Sequence, residues 1–132
     1  MEATPYGTEP FGQQPDFWVS SDVLPDGQLV CRVFGDLDAD TVRTAEDAIT
    51  TSLLESPRLL VIDFAHCSFF DSSGLGMLIR LRNRPTETID MTIRLSGLPL
   101  TMSRIFSFTG ADSIFTTWPT VADALASGTA PD

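Results

Sequence analysis

The sequence predicts an α/β fold, in which a mixed β-sheet of about four to five strands packs against about four helices. Segments with strand and helix patterns alternate along the chain after an opening hairpin, which is typical of this class. Residues 59–64 form a nearly unbroken apolar run, as expected for a strand that helices cover on both faces. The 132 residues suffice for one domain with a sizeable core.

This domain is expected to span residues 16–128, between two tails. Residues 1–15 contain three Pro, two Gly and two Gln without apolar periodicity, which predicts a flexible N-terminal tail. Residues 129–132 form a short C-terminal tail. The start of the chain lacks the basic end and the apolar stretch of a signal peptide, and no run approaches the ~20 apolar residues of a membrane span. We therefore expect a cytoplasmic protein with no membrane partner.

The opening hairpin is predicted from two apolar segments and the turn that joins them. Asp16–Val23 forms the first strand, and Leu29–Phe34 forms the second. Between them, Leu24–Gly27 contains a Pro that fixes φ at the start of the turn and a Gly that can adopt a positive φ.

The first helix is expected to begin at Asp38 or Asp40, either of which can act as its N-cap, and to end before Pro57. Four apolar side chains at helical spacing mark the face that packs on the sheet. They are Val42, Ala45, Ile49 and Leu53.

After the apolar strand at residues 59–64, the sequence predicts a short loop and a second helix. Asp71 is the expected N-cap, because its carboxylate can accept hydrogen bonds from the free N–H groups of the next turn. Ser72 and Ser73 then lie in the first turn. The apolar stripe consists of Leu75, Leu78 and Ile79, and Pro85 ends the pattern.

The last third of the chain contains two further strands and two further helices. Ile89–Leu95 alternates between apolar and other residues, which predicts a fourth strand. A third helix starts at Pro99, carries apolar residues on one side and ends before Gly110. Ile114–Phe115 is at best a short edge strand. A last helix occupies Pro119–Gly128, with the final glycine closing it.

Two glycines near the start of the second helix are unexpected there. Gly74 and Gly76 each cost roughly 1 kcal/mol of helix stability relative to alanine. The cost suggests a close approach to the backbone, either by a neighbouring element or by a partner that docks on the helix start. A hydroxyl at a helix N-terminus, such as that of Ser72, is also a suitable position for a phosphate.

Polar residues follow the ends of two strands that are predicted to lie in one sheet. Residues 35–38, Gly-Asp-Leu-Asp, follow the second strand, and residues 70–73, Phe-Asp-Ser-Ser, follow the next one. Sites in such sheets gather at the carboxyl ends of the strands. If the two strands are neighbours, Asp36, Asp38 and Ser72 should share one edge of the molecule.

These two segments resemble the motifs of a known family. Residues 70–76, Phe-Asp-Ser-Ser-Gly-Leu-Gly, are similar to the signature of the anti-sigma factor antagonists of the bacterial STAS-domain family. Residues 35–38 resemble the Gly-Glu-Leu-Asp segment of the same family, with Asp36 where Glu is usual. The likeness covers residues 16–127 in the order of elements. It implies a single STAS-like domain.

The resemblance also implies a function. The unmodified chain would bind an anti-sigma factor that has serine kinase activity, and this binding would free a sigma factor. Phosphorylation of Ser72, the serine directly after the Asp, would end the binding, and a separate serine phosphatase would reset the switch. The implied partner-binding surface consists of Asp36, Asp38, Asp71, Ser72, Ser73, Gly74, Leu75 and Gly76.

Composition excludes several other classes of function. The net charge of -10 disfavours binding to nucleic acid, because phosphate backbones are repelled. All eight basic residues are Arg, which excludes Schiff-base chemistry and a P-loop lysine. Cys31 and Cys67 stand alone on predicted strand and loop positions, and with a single His they are too few for a structural zinc site. We expect no cofactor and no metal; ATP and magnesium would belong to the kinase.

The sequence is also compatible with other functions. Ser72 and its neighbours could be an ordinary helix start, and the chain could be a docking module that is never phosphorylated. His66 is near Ser72 in sequence, so a serine hydrolase with Asp63 or Asp71 as the orienting carboxylate is a further alternative. Phe70 occupies the first glycine position of a nucleophile elbow around Ser72, which argues against that chemistry and favours a protein without enzymatic activity.

Overall fold

The structure is a computed structural model, and it describes residues 16–84 and 91–128. Within these residues five strands and four helices form one α/β unit, which confirms the predicted fold class. The strands are β1 (Trp18–Leu24), β2 (Gln28–Leu37), β3 (Leu59–Phe70), β4 (Thr92–Ser96) and β5 (Thr116–Trp118). The helices are α1 (Val42–Ser52), α2 (Ser72–Arg82), α3 (Leu100–Thr109) and α4 (Val121–Ala126).

The sheet is mixed, and its strands lie in chain order from β1 to β5. β1 pairs with β2 in antiparallel fashion, and every later pair is parallel. The turn between β1 and β2 has Asp26 at φ 64° and Gly27 at φ 73°. The positive φ predicted for the glycine is confirmed, and the aspartate adopts a left-handed conformation as well.

Helices cover both faces of the sheet, but unequally. The main core lies between one face and three helices, with Ile49 of α1, Leu78 of α2 and Phe106 of α3 among its buried residues. On the other face, Ala124 of α4 packs in a smaller cluster with Val61 of β3. Because helices cover both faces of β3, both sides of the strand are buried at residues 59–64, which explains why this segment is almost entirely apolar.

β2 and β3 are both longer than the sequence predicted. β2 continues to Leu37, where it still pairs with Phe70 of β3. Two register shifts occur along this pair, and each places one extra residue on β3. Such bulges interrupt the apolar alternation, so the second half of β3 resembled a loop in sequence. The prediction of a loop at Cys67 was therefore wrong.

The start of α1 was also placed too early. The helix begins at Val42 with Thr41 as N-cap, so neither Asp38 nor Asp40 caps it. Asp38 instead closes a turn before the helix: its Oδ1 accepts hydrogen bonds from the main-chain N–H groups of Asp40 (2.9 Å) and Thr41 (3.2 Å). The inner face is as predicted, with Ala45, Ile49, Val42 and Leu53 all packed in the main core, and the helix ends before Pro57.

Three predictions for the second half of the chain need correction. Ile79 is not part of the core stripe of α2, because its side chain points outward and is 38% exposed. The short edge strand is Thr116–Trp118 rather than Ile114–Phe115, and Phe115 is a buried core residue. α4 begins at Val121 after Thr120, not at Pro119.

Some predictions lie outside the described residues, namely the two tails, Pro85 and Ile89. The domain bounds of 16–128 stay a prediction.

A buried arginine holds α4 on the sheet. Arg94 of β4 is 1% exposed, and its Nη1 donates to the main-chain oxygen of Ala124 at 2.7 Å. Its Nη2 donates to the main-chain oxygen of Gly128 at 2.7 Å, and the guanidinium lies 5.0 Å from the centre of the Trp118 ring. The sequence pattern of β4 does not reveal this interaction.

None of the helices within residues 16–84 and 91–128 has the length and the apolar content that crossing a membrane requires.

Candidate functional site

The carboxyl ends of β2 and β3 bring the two motif segments together. Leu37 pairs with Phe70, so Asp38 and Asp71 follow neighbouring strands at the same end of the sheet. Asp36 lies one residue earlier and pairs with Phe69. The expectation that these residues and Ser72 share one edge is thereby confirmed by the strand register. We call this region the carboxyl edge and define it by Asp36, Asp38, Asp71 and Ser72.

Asp71 caps α2 as predicted. Its backbone is extended (φ -134°, ψ -168°), and its Oδ1 accepts a hydrogen bond from the main-chain N–H of Ser73 at 2.8 Å. The main-chain oxygen of Asp71 also accepts from the N–H of Gly74 at 3.0 Å. Ser72 is therefore fixed as the first residue of the helix, which sets where its hydroxyl can lie.

Ser72 is exposed, whereas Ser73 is half-buried. The Ser72 hydroxyl makes no side-chain hydrogen bond to the part of the chain that the structure describes. It stands at the N-terminus of α2, where the helix dipole favours negative charge. An enzyme that modifies serine can therefore reach this hydroxyl without opening the fold.

The two glycines of α2 have different surroundings. A Cβ atom at Gly74 would lie 2.6 Å from Cε2 of Phe70 and 2.9 Å from Cδ2 of Leu37, both of which are buried. Gly74 thus permits close packing of α2 on the ends of β2 and β3. A Cβ at Gly76 would meet only Nη1 of Arg80, at 3.3 Å. Of the two explanations that the sequence left open, packing by a neighbouring element applies to Gly74 and not to Gly76.

Three carboxylates give the carboxyl edge a negative charge. Asp36 is exposed, while Asp38 and Asp71 are half-buried. Salt bridges within residues 16–84 and 91–128 join other acidic residues, namely Asp22 to Arg32 and Glu46 to Arg80. The charge of this edge is consequently not neutralised by an arginine of the described chain, and it favours a partner with basic groups.

One further residue at this edge was missed in the sequence. Phe69 is 50% exposed, although it lies in β3 and is followed by the buried Phe70. The second register shift turns it outward, opposite Asp36. No sequence signal identifies such a position, because simple alternation does not survive a bulge.

The surroundings of His66 do not form the catalytic triad of the alternative serine hydrolase. His66 is exposed, and its ring stacks on Phe34 with centroids 4.9 Å apart; Phe34 stacks on Trp18 at 4.6 Å. The carboxylate of Asp63 is buried and accepts a hydrogen bond from Ser96 Oγ at 2.8 Å. Asp71 is engaged as the helix cap. Both candidate orienting carboxylates thus have other structural roles.

Cys31 and Cys67 are both buried and both unpaired. Burial raises the pKa of each thiol above its usual value, so the reactive thiolate is disfavoured. No cluster of three or more metal-ligating side chains occurs in residues 16–84 and 91–128.

The arginines of α2 point to different sides of the helix. Arg80 forms an ion pair with Glu46 of α1. Its Nη2 and Nε both donate hydrogen bonds to Oε1 of Glu46, at 2.7 Å and 3.0 Å. These hydrogen bonds raise the pKa of Arg80. Arg84 lies just after the helix and lines the same groove between α1 and α2, whereas Arg82 lines a groove on another side. Arg82 therefore lies on a different side of α2 from Arg80 and Arg84.

Replacing Asp71 by Ala should lower the free energy of unfolding by about 1 kcal/mol, because the N–H of Ser73 loses its acceptor. Asp71→Asn keeps an acceptor oxygen and should retain most of the stability. Urea denaturation measures both. Asp40→Ala, which removes an exposed carboxylate elsewhere, is the control and should change stability by less than about 0.5 kcal/mol. Equal losses for Asp71→Ala and the control would contradict the capping role.

Comparisons with known proteins agree with this geometry. The family model of the STAS domain matches residues 20–124. An anti-sigma-B factor antagonist from Listeria monocytogenes is 31% identical over 86 residues, which cover 62% of this chain and 71% of the relative. A crystal structure of an anti-sigma factor antagonist from Mycobacterium paratuberculosis superposes with a TM-score of 0.71 at 29% identity. That match covers 84% of this chain and 93% of the other.

A more distant solved structure shares the fold. The anti-sigma factor antagonist SpoIIAA in its unphosphorylated form has a TM-score of 0.64 at 24% identity, over 82% of this chain and 93% of the other. The family model alone extends over most of the described residues, including both motif segments. The chain belongs to the STAS domain family.

Proposed function

We propose that this chain is an anti-sigma factor antagonist, a regulatory binding protein that has no catalytic activity of its own and acts in the cytoplasm. It binds an anti-sigma factor that has serine kinase activity, and this binding frees a sigma factor. The observation that carries the proposal is the exposed Ser72 hydroxyl, held by the Asp71 cap at an edge of uncompensated carboxylates. The antagonists from Listeria and Mycobacterium support the class of partner.

The binding surface is the carboxyl edge together with the first turn of α2. Asp36 and Asp38 lie at the end of β2, and Asp71, Ser72 and Ser73 follow the end of β3. Leu75 is half-buried and Gly76 leaves the helix backbone open, while Gly74 acts indirectly by fixing the position of the helix. Phe69 adds an exposed apolar side chain for contact.

Phosphorylation of Ser72 acts as an electrostatic switch. A phosphate adds about 1.5 to 2 negative charges at the N-terminus of α2, where the helix dipole stabilises it within this chain. The fold therefore survives the modification. In a docked complex the same group must lose its water beside Asp71 and Asp38. A hundredfold loss of affinity requires only about 2.8 kcal/mol, which one badly paired charge in an interface can supply.

The chemistry of the cycle belongs to the partners. The kinase supplies ATP and magnesium, and a serine phosphatase removes the phosphate and restores binding. This division fits a chain without lysine, in which the two salt bridges of residues 16–84 and 91–128 pair Arg32 and Arg80 with acidic residues outside the carboxyl edge.

Incubation with the anti-sigma factor kinases encoded in the same genome, each purified and supplied with ATP and magnesium, should place one phosphate on Ser72. Intact-mass analysis and site mapping measure this. Ser72→Ala should abolish phosphorylation and keep kinase binding, whereas Ser72→Asp should weaken binding at least ~10-fold because it puts a permanent charge in the interface. Ser73→Ala is the matched control and should still be phosphorylated.

Phosphate on Ser73, or no phosphate from any of these kinases, would contradict the assignment of Ser72. Equal affinity for the partner before and after incubation with kinase and ATP would favour the alternative, a docking module that is not switched by phosphorylation.

A further inference from the structure

The sheet carries a row of three stacked rings that crosses its first three strands. Trp18 of β1 pairs with Phe34 of β2, and Phe34 in turn pairs with His66 of β3. The centroids of the Trp18 and Phe34 rings lie 4.6 Å apart, with the ring planes at 9° to each other. Those of Phe34 and His66 lie 4.9 Å apart, at 10°. We call these three residues the aromatic row.

The aromatic row lies on the face of the sheet opposite the main core. Val19 and Val33, the sequence neighbours of Trp18 and Phe34, both pack in the main core, so the row points to the other side. That side is the one on which α4 packs. The cluster under α4 includes Val30, four residues before Phe34, but among the described residues it includes no ring of the row.

The described chain leaves the aromatic row partly open to solvent. Trp18 and Phe34 are half-buried, and His66 is exposed. Pairing across strands explains why the three rings lie side by side. It does not explain why they remain open to solvent, since aromatic side chains stabilise a structure mainly through burial. A contiguous exposed apolar surface of this kind indicates a contact surface.

The sequence before β1 repeats a short unit that suits such a surface. Pro-Tyr-Gly occupies residues 5–7, Pro-Phe-Gly occupies residues 10–12, and a third proline follows at the same spacing, at Pro15. Proline restricts the backbone in advance, so less conformational entropy is lost when the segment binds. Aromatic-lined surfaces recognise Pro-rich segments for this reason. The chain thus contains both an aromatic surface and a segment with the chemistry that such surfaces bind.

The chain enters the domain beside the aromatic row. Gly35, which follows Phe34, has φ 103°, and a Cβ atom there would collide with the main-chain oxygen of Asp16. The repeated units therefore precede a residue that is fixed next to the row. Five extended residues span up to ~17 Å, several times the spacing of the rings. Such a tether makes docking intramolecular, with an effective concentration on the order of mM.

We propose that residues 5–12 dock on the aromatic row of the same chain through the two Pro-aromatic-Gly units. Their prolines and the rings of Tyr6 and Phe11 cover apolar surface that the described residues leave open. The row lies on the opposite side of the sheet from α2, so this docking leaves Ser72 accessible. The inference goes beyond the function proposed above and does not depend on it.

Acylation of His66 by diethyl pyrocarbonate tests the proposal in the full chain. His66 is the only histidine, and the chain has no lysine to compete for the reagent. Peptide mass mapping gives the rate at His66 for the parent chain and for a variant that combines Tyr6→Ser with Phe11→Ser. We expect His66 to react at least ~3-fold faster in the variant, the ratio that corresponds to docking for about two thirds of the time.

Phe108→Ser is the matched control. Phe108 is an aromatic residue on α3 that is 93% exposed, and α3 packs on the other face of the sheet. Its replacement removes exposed aromatic surface away from the row and should change the rate at His66 by less than ~1.5-fold. Circular dichroism should show the same fold for the parent chain and both variants.

Two results would overturn the proposal. Equal rates in the parent chain and in the variant that lacks the Tyr6 and Phe11 rings would show that residues 5–12 do not cover the row. Protection that rises with protein concentration would show that a second copy of the chain covers it instead, since docking within one chain does not depend on concentration.

Discussion

Replacing Arg94 by Met is expected to lower the free energy of unfolding by about 3 kcal/mol, because two carbonyl oxygens lose a charged donor. The guanidinium donates to Ala124 and Gly128 at 2.7 Å each, and the first of these bonds is fully buried. Methionine preserves much of the volume of the arginine stem, so the loss reflects polar contacts rather than a cavity. One oxygen lies in α4 and the other lies two residues beyond its end, so this helix should loosen first.

Urea denaturation gives the total loss, and amide hydrogen exchange in α4 shows where it is located. Arg104→Met is the control, since Arg104 is exposed on α3 and should change stability by less than about 0.5 kcal/mol. A loss for Arg94→Met no larger than for Arg104→Met would mean that the buried arginine does not hold α4.

Replacing Gly74 by Val should also cost about 3 kcal/mol, this time by overpacking. Already the first added carbon would lie 2.6 Å from the Phe70 ring and 2.9 Å from Leu37, and valine adds two further carbons to it. Phe70 cannot move easily, because its ring packs edge-on against Phe64 and contacts Phe106. The start of α2 would therefore be pushed off the sheet, and Ser72 would move with it.

The matched control is the same substitution two residues later. Gly76→Val meets only the flexible end of Arg80 and should leave the free energy of unfolding within about 0.5 kcal/mol of the parent chain. Thermal and urea denaturation compare the two variants directly. Similar losses at both positions would show that helix propensity, rather than contact with Phe70 and Leu37, determines the effect.

What the sequence predicted correctly was mostly local or topological. The Asp71 cap depends on a side chain and an N–H two residues apart, and such contacts are visible in sequence. The common edge of Asp36, Asp38 and Ser72 followed from a general rule for parallel strands. At α1 the local rule failed, because Asp38 closes a turn of its own and leaves Thr41 as the cap.

The errors arose where distant parts of the chain decide the outcome. The acceptors of Arg94 are main-chain oxygens thirty and thirty-four residues away, which carry no sequence signal. The bulges of β3 depend on its pairing with β2 and conceal the outward turn of Phe69. Gly74 and Gly76 look equivalent in sequence, and only the positions of Phe70 and Leu37 distinguish them.

The sequential order of the strands gives the molecule a convenient optical property. Its two tryptophans, Trp18 and Trp118, lie on β1 and β5, which are the opposite margins of the sheet. Trp18 is stacked on Phe34, and Trp118 lies against the Arg94 guanidinium, so the two indoles emit from chemically distinct environments. Intrinsic fluorescence therefore monitors both ends of the sheet at once, without any attached dye.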